Sequence, residues 1–171
     1  MMRRTPIACL LLAGLALALA APALAEGPAK PAPPAWQKLQ SLVGNWQAPG
    51  PDGKPMRTSY ELVAGGSALL EKFEPGFEPS MVTVYTMDGE TPVLTHYCTA
   101  GNQPRMRAQA GSSTDVLDFA FVDAANLTSK EAGHMHHLKL SFVDANHLSQ
   151  EWTFHKDGKD SAHTMTFERV K

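Results

Sequence analysis

The chain has 171 residues, and its 15 Lys and Arg against 17 Asp and Glu leave no basic excess to attract nucleic acid or an anionic membrane. That length holds one domain with its own core. One of the two cysteines, Cys9, falls inside an export signal, so the mature chain keeps only Cys98 and has no intramolecular disulfide.

Residues 1–25 carry that signal. Arg3 and Arg4 form a charged start, residues 7–21 an apolar run, and Ala23-Leu24-Ala25 an A-x-A cleavage pattern. Cys9 lies near the start of the apolar run, too early for the lipidated cysteine of a lipoprotein. Cleavage after Ala25 leaves 146 of the 171 residues, 13 basic against 17 acidic. It sends the product to the periplasm or the medium without stable membrane insertion. Residues 26–35 are a Pro/Ala-rich linker, and residues 36–171 the folded domain.

Trp36, Leu39, Leu42 and Val43 recur at helical spacing over two turns, which predicts a short helix. A first strand follows through Trp46, and residues 49–55 form a turn. Strand alternation then recurs over 58–63, 67–73, 81–87, 93–98, 105–110, 116–122, 134–143, 148–155 and 163–170. Gly65-Gly66, Asp88-Gly89 and Asp157-Gly158 supply tight turns between them. Pro92 lacks the N–H of a ladder residue, so the return strand is expected to start at Val93. With roughly nine strands and no long helix, the chain is all-β. The architecture expected is a single antiparallel up-and-down barrel, since closure removes exposed edges, with an open sandwich as the alternative.

Gly44-Asn45-Trp46, entered from a short helix, is similar to the G-x-W signature that opens lipocalins and other calycin barrels. In that family the tryptophan packs across the closed end of the barrel, and a basic residue of the last strand lies over it. Arg169 occupies the matching position, and Gly44, Trp46 and Arg169 are therefore the implied structural set. Thr95-His96-Tyr97-Cys98, Gly101-Asn102-Gln103-Pro104-Arg105-Met106 and His134-Met135-His136 resemble secreted bacterial calycin-like proteins of unassigned function. The resemblance implies a fold and no activity.

Strand parity supplies the candidate site. Alternate residues share a face, so His134 and His136 extend the face of Leu138, Leu140 and Phe142, and Leu94, His96 and Cys98 share another. Glu71 lies on the face of Leu69 and Phe73. Glu71, His96, Cys98, His134 and His136 are thus expected on the inner wall, with Asn102 and Arg105 at one mouth, around a small ligand. Residues i and i+2 lie about 6.5–7 Å apart along a strand, so His-x-His and His-x-Cys pairs suit one metal ion. A second reading therefore makes His96, Cys98, His134 and His136 an N₃S zinc or copper site, in a metal-binding protein or metalloenzyme. A third leaves the histidines as hydrogen-bonded core groups. Haem held by His155 or His163 is a further, less specific option. Cys98 beside His96 lacks a third, orienting group, so the pattern favours a binding protein over an enzyme. Ligand identity and oligomeric state stay open.

Overall fold

Strands follow wherever apolar and polar residues alternate, and here they close on themselves. In the computed structural model, which describes residues 31–50, 53–76, 80–113 and 115–171, ten antiparallel strands form a closed barrel. They are β1 (Gly44–Ala48), β2 (Met56–Val63), β3 (Ala68–Glu74), β4 (Met81–Asp88), β5 (Thr91–Tyr97), β6 (Gln103–Ala108), β7 (Val116–Ala125), β8 (His134–Phe142), β9 (His147–Lys156) and β10 (Lys159–Arg169). Each pairs with its sequence neighbours, and β1 pairs with β10 to complete the ring. The export signal expected over residues 1–25, and residues 26–30 of the linker, lie outside the described residues.

The ends of the strands depart from the sequence reading for identifiable reasons. Pro92 lies inside β5, paired with Met87 of β4, because β6 joins β5 only from Val93 onward. On its open side the missing N–H costs no ladder bond. β10 begins at Lys159 and not at 163, since Asp157 and Gly158 both take positive φ and make a two-residue turn. Residues 159–162 (Lys-Asp-Ser-Ala) are all exposed and hold no large apolar side chain, so they carry no alternation to read.

Helix α1 (Pro34–Gln40) stands before β1, with a proline in its first turn, where a missing N–H is harmless. Two turns are too few to persist alone. Burial of Trp36 and Leu39 in the barrel core holds them, as does an ion pair from Lys38 to Asp115 at 2.9 Å. The helix leads into Leu42, whose carbonyl accepts the Trp46 indole N–H at 2.8 Å. Arg169, paired with Trp46 across β1 and β10, lays its guanidinium 4.1 Å from the indole centroid. It also donates to the Ser41, Val43 and Ala145 carbonyls at 2.7, 2.8 and 3.0 Å. Gly44 takes φ +127°, and a Cβ there would lie 3.1 Å from the Arg169 guanidinium. Glycine is what lets the arginine approach.

Two ladders slip by one residue. Opposite Arg105 and Met106, β7 presents Asp123 and Phe121, so Val122 is extra. In β8, Met135 pairs with Phe154 and His137 with Thr153, so His136 is extra. Each is a β-bulge, which resets the inside–outside parity of every residue beyond it.

Candidate functional site

Register brings four polar residues of adjacent strands into one row. Tyr60 pairs with Glu71, Glu71 with Thr83, and Thr83 with His96, across β2, β3, β4 and β5. All four are buried. Each sits at an inward step of its strand, flanked two residues away by groups such as Leu69, Tyr85 and Leu94.

Glu71 is the hub, and four donors converge on it. Oε1 accepts from the Thr58 hydroxyl at 3.0 Å, the Tyr60 hydroxyl at 2.9 Å and the Gln150 amide at 2.7 Å, while Oε2 accepts from the Tyr85 hydroxyl at 2.7 Å. Gln150 also donates to the Tyr60 oxygen at 2.6 Å and accepts the Trp152 indole N–H at 2.9 Å. Removal from water, and then the Glu71 charge, push both tyrosine hydroxyls well above their usual range. They stay protonated donors.

His96 is the unfinished member of the row. Its Nδ1 and the Thr83 hydroxyl share a hydrogen bond of 2.9 Å, and its ring packs 4.8 Å from that of Trp152. The other nitrogen, Nε2, is buried with no hydrogen-bond partner among the described residues. Only 4% of the residue is exposed, and desolvation lowers its pKa from 6.5 to about 4. The ring is therefore neutral near pH 7.

This row borders an interior cavity of about 580 Å³. Glu71, Thr83, His96 and Gln150 form its polar wall, and Phe73, Met81, Met135, Trp152, Phe154 and Met165 much of the rest. Pro49, Pro75, Ser161 and His163 belong to the strand ends at the barrel end remote from α1, where the lining reaches the surface.

Of the residues expected on the inner wall, Glu71 and His96 line this cavity and Cys98, His134 and His136 do not; Asn102 and Arg105, expected at its mouth, are not on the lining either. The bulge at His136 explains the histidines. It puts Met135 on the wall in register with Phe154, while Leu138 and Leu140 still face inward beyond it. His134 and His136 instead bond each other, Nε2 to Nδ1 at 3.0 Å, and pack on Phe121 and His155. His134 Nδ1 donates to the Ala132 carbonyl at 2.8 Å. Burial, and then the neighbouring His134 and His155, lower the His136 pKa.

Cys98 falls just past the end of β5, in a turn closed by its own backbone bonds to Gly101 and Asn102. Its half-buried sulfur accepts the Ala100 N–H at 3.5 Å. Asn102 ties that turn to the residue before β8, donating its amide to the Gly133 carbonyl at 2.8 Å. Arg105 is exposed and forked onto Asp123, which occupies its donors away from the cavity. The expected four-ligand zinc or copper site is thus not assembled. Among the described residues no group of three or more His, Cys, Asp or Glu is arranged to hold a metal ion. Of the two histidines considered for haem, His163 lies at the cavity and His155 is paired with Asp160 at 2.6 Å, off the lining.

Thr83, Gln150, Trp152 and Met135 line the cavity as well, outside the set the sequence pattern points to. For the first three the signal was present: Thr83 alternates with Met81 and Tyr85, and Gln150 and Trp152 alternate with Leu148 and Phe154. A polar residue between inward-facing apolar ones on a strand is itself a pointer to a pocket.

No protein-family model and no curated protein sequence matches the chain. A solved structure does. The crystal structure of Rv2717c from M. tuberculosis is similar at a TM-score of 0.55 and 17% identity, over 82% of this chain and 100% of that one. At that identity the likeness is one of fold, a closed antiparallel barrel. Such a fold is compatible with ligand binding.

Proposed function

We propose that this chain is an exported, calycin-like barrel whose interior cavity binds a small molecule with an apolar body and one polar group. The observation that carries the reading is His96 Nε2, a buried nitrogen without a partner on the wall of a cavity of about 580 Å³. A buried polar atom left unpaired costs about 1–3 kcal/mol, which a bound ligand's polar group would recover. The volume falls within the range of small-molecule sites, and a mostly apolar wall with a few convergent polar groups is their usual make-up. The G-x-W entry and the Trp46–Arg169 stack support the calycin-like kinship. The A-x-A pattern supports export, and the acidic balance of the mature chain argues against nucleic-acid and membrane partners.

Trp152 is the built-in reporter, because Trp36 and Trp46 lie at the helix-capped end. Titration with a panel of aryl and alkyl fragments should change its fluorescence, and Trp152→Phe should abolish that change. His96→Leu should weaken the fragments carrying a polar group. A panel that leaves the fluorescence unchanged, or a response that survives in Trp152→Phe, defeats the proposal. Export is tested separately by the N-terminal sequence of the protein recovered outside the cytoplasm, which should begin at Glu26.

A further inference from the structure

The polar wall of the cavity has a sign. Among its described lining residues Glu71 carries the one formal charge, and no Lys or Arg shares the lining. No described cation forms an ion pair with Glu71 either, although only 1% of the residue is exposed. Buried charges are ordinarily paired.

The donors around it are already committed. Thr58, Tyr60 and Tyr85 each spend their single hydroxyl proton on Glu71, and the Gln150 amide spends its protons on Glu71 and Tyr60. The Trp152 N–H is spent on Gln150. What remains unspent is accepting capacity. Oε1 is crowded by three donors while Oε2 takes one, so the open lone pair of the carboxylate is on Oε2. His96 Nε2 offers its lone pair when Nδ1–H donates to Thr83, the tautomer that a ligand N–H would select.

Glu71 and His96 stand two strands apart, with Thr83 in register between them. Adjacent strands are about 4.8 Å apart, so the two backbones stand roughly 10 Å apart across Thr83, and both side chains reach the same cavity. Burial holds His96 uncharged, so it brings no competing positive charge. Trp152, Phe73 and Phe154 line the same cavity, and a cation is attracted to aromatic faces.

Building on the small-molecule reading above, we infer that the ligand is an organic cation: a protonated amine on an apolar or aromatic body. Its ammonium group lies between the Glu71 carboxylate and His96 Nε2, and its body lies against Trp152, Phe73 and the cavity methionines. Carboxylate-bearing ligands are excluded by the same charge.

The test is calorimetric titration of the full mature chain near neutral pH with phenylbutylamine, its N-acetyl derivative, phenylbutanol and phenylbutyrate. These share an apolar body and differ in head group. The amine should bind at least roughly tenfold more tightly than the amide or the alcohol, and the carboxylate should bind most weakly. In Glu71→Gln the amine should lose roughly tenfold and the alcohol little. If that variant does not fold, as judged by circular dichroism, the ranking on the wild-type chain decides alone. An alcohol, amide or carboxylate that matches or exceeds the amine overturns the charge inference and leaves the cavity reading standing. Failure of all four to bind removes both. A folded Glu71→Gln that retains the amine preference also overturns the inference.

Discussion

Acid should reveal His96 directly. Its folded-state pKa lies near 4 against 6.5 in the unfolded chain, so below pH 6.5 the unfolded state binds the proton more tightly. The stability tied to a neutral His96 is present above pH 6.5. It falls as the pH drops through the window from 6.5 to about 4, and then levels off. The two values imply a loss of about 2 kcal/mol at pH 5 and about 3 kcal/mol at pH 4. His96→Leu removes the titration while keeping an apolar side chain against Trp152. Urea unfolding of both proteins between about pH 7 and pH 4 therefore isolates the histidine, because every other titrating group is common to both. Whatever the gap at neutral pH, wild type should lose about 3 kcal/mol relative to the variant by pH 4. Parallel stability curves, with a gap constant to about 0.5 kcal/mol, would show that His96 is solvated and does not wall a dry cavity.

The remaining predictions concern the cap and the Glu71 hub. Arg169→Ala removes the stack on Trp46 and three hydrogen bonds to carbonyls, and should cost about 2–4 kcal/mol in urea unfolding. Arg169→Lys should restore less than half, since an ammonium cannot reproduce the planar fork; a loss below about 1 kcal/mol for the alanine would mean that the cap is ornamental. Tyr85→Phe strips Glu71 Oε2 of its donor and should destabilise by about 1–3 kcal/mol in thermal unfolding, and an unchanged midpoint would contradict the hub geometry.

Much of this was readable locally. Alternation of period two identifies a strand and its faces without knowledge of its neighbours. Leu69–Glu71–Phe73 and Leu94–His96 were therefore correctly turned inward, and the Gly-containing turns marked where the chain reverses. The same logic failed at His134 and His136. A bulge is a property of a pair of strands, and nothing in the residues 134–137 announces that β9 will meet them one residue out of step. It failed again at Cys98, where parity was extended one residue past the last paired position of β5.

Sequence alone supported a meandering β-fold with a helix and G-x-W entry, favoured its closure into a barrel, and turned Glu71 and His96 inward. Local patterns of polarity and turn chemistry suffice for that. Only the closed structure decided which polar groups meet. Gln150 reaches Glu71 across 79 positions of chain, and Arg105 is taken by Asp123, because partners are set by register around the ring. Register accumulates through every turn and bulge between two strands, and so has no local signature.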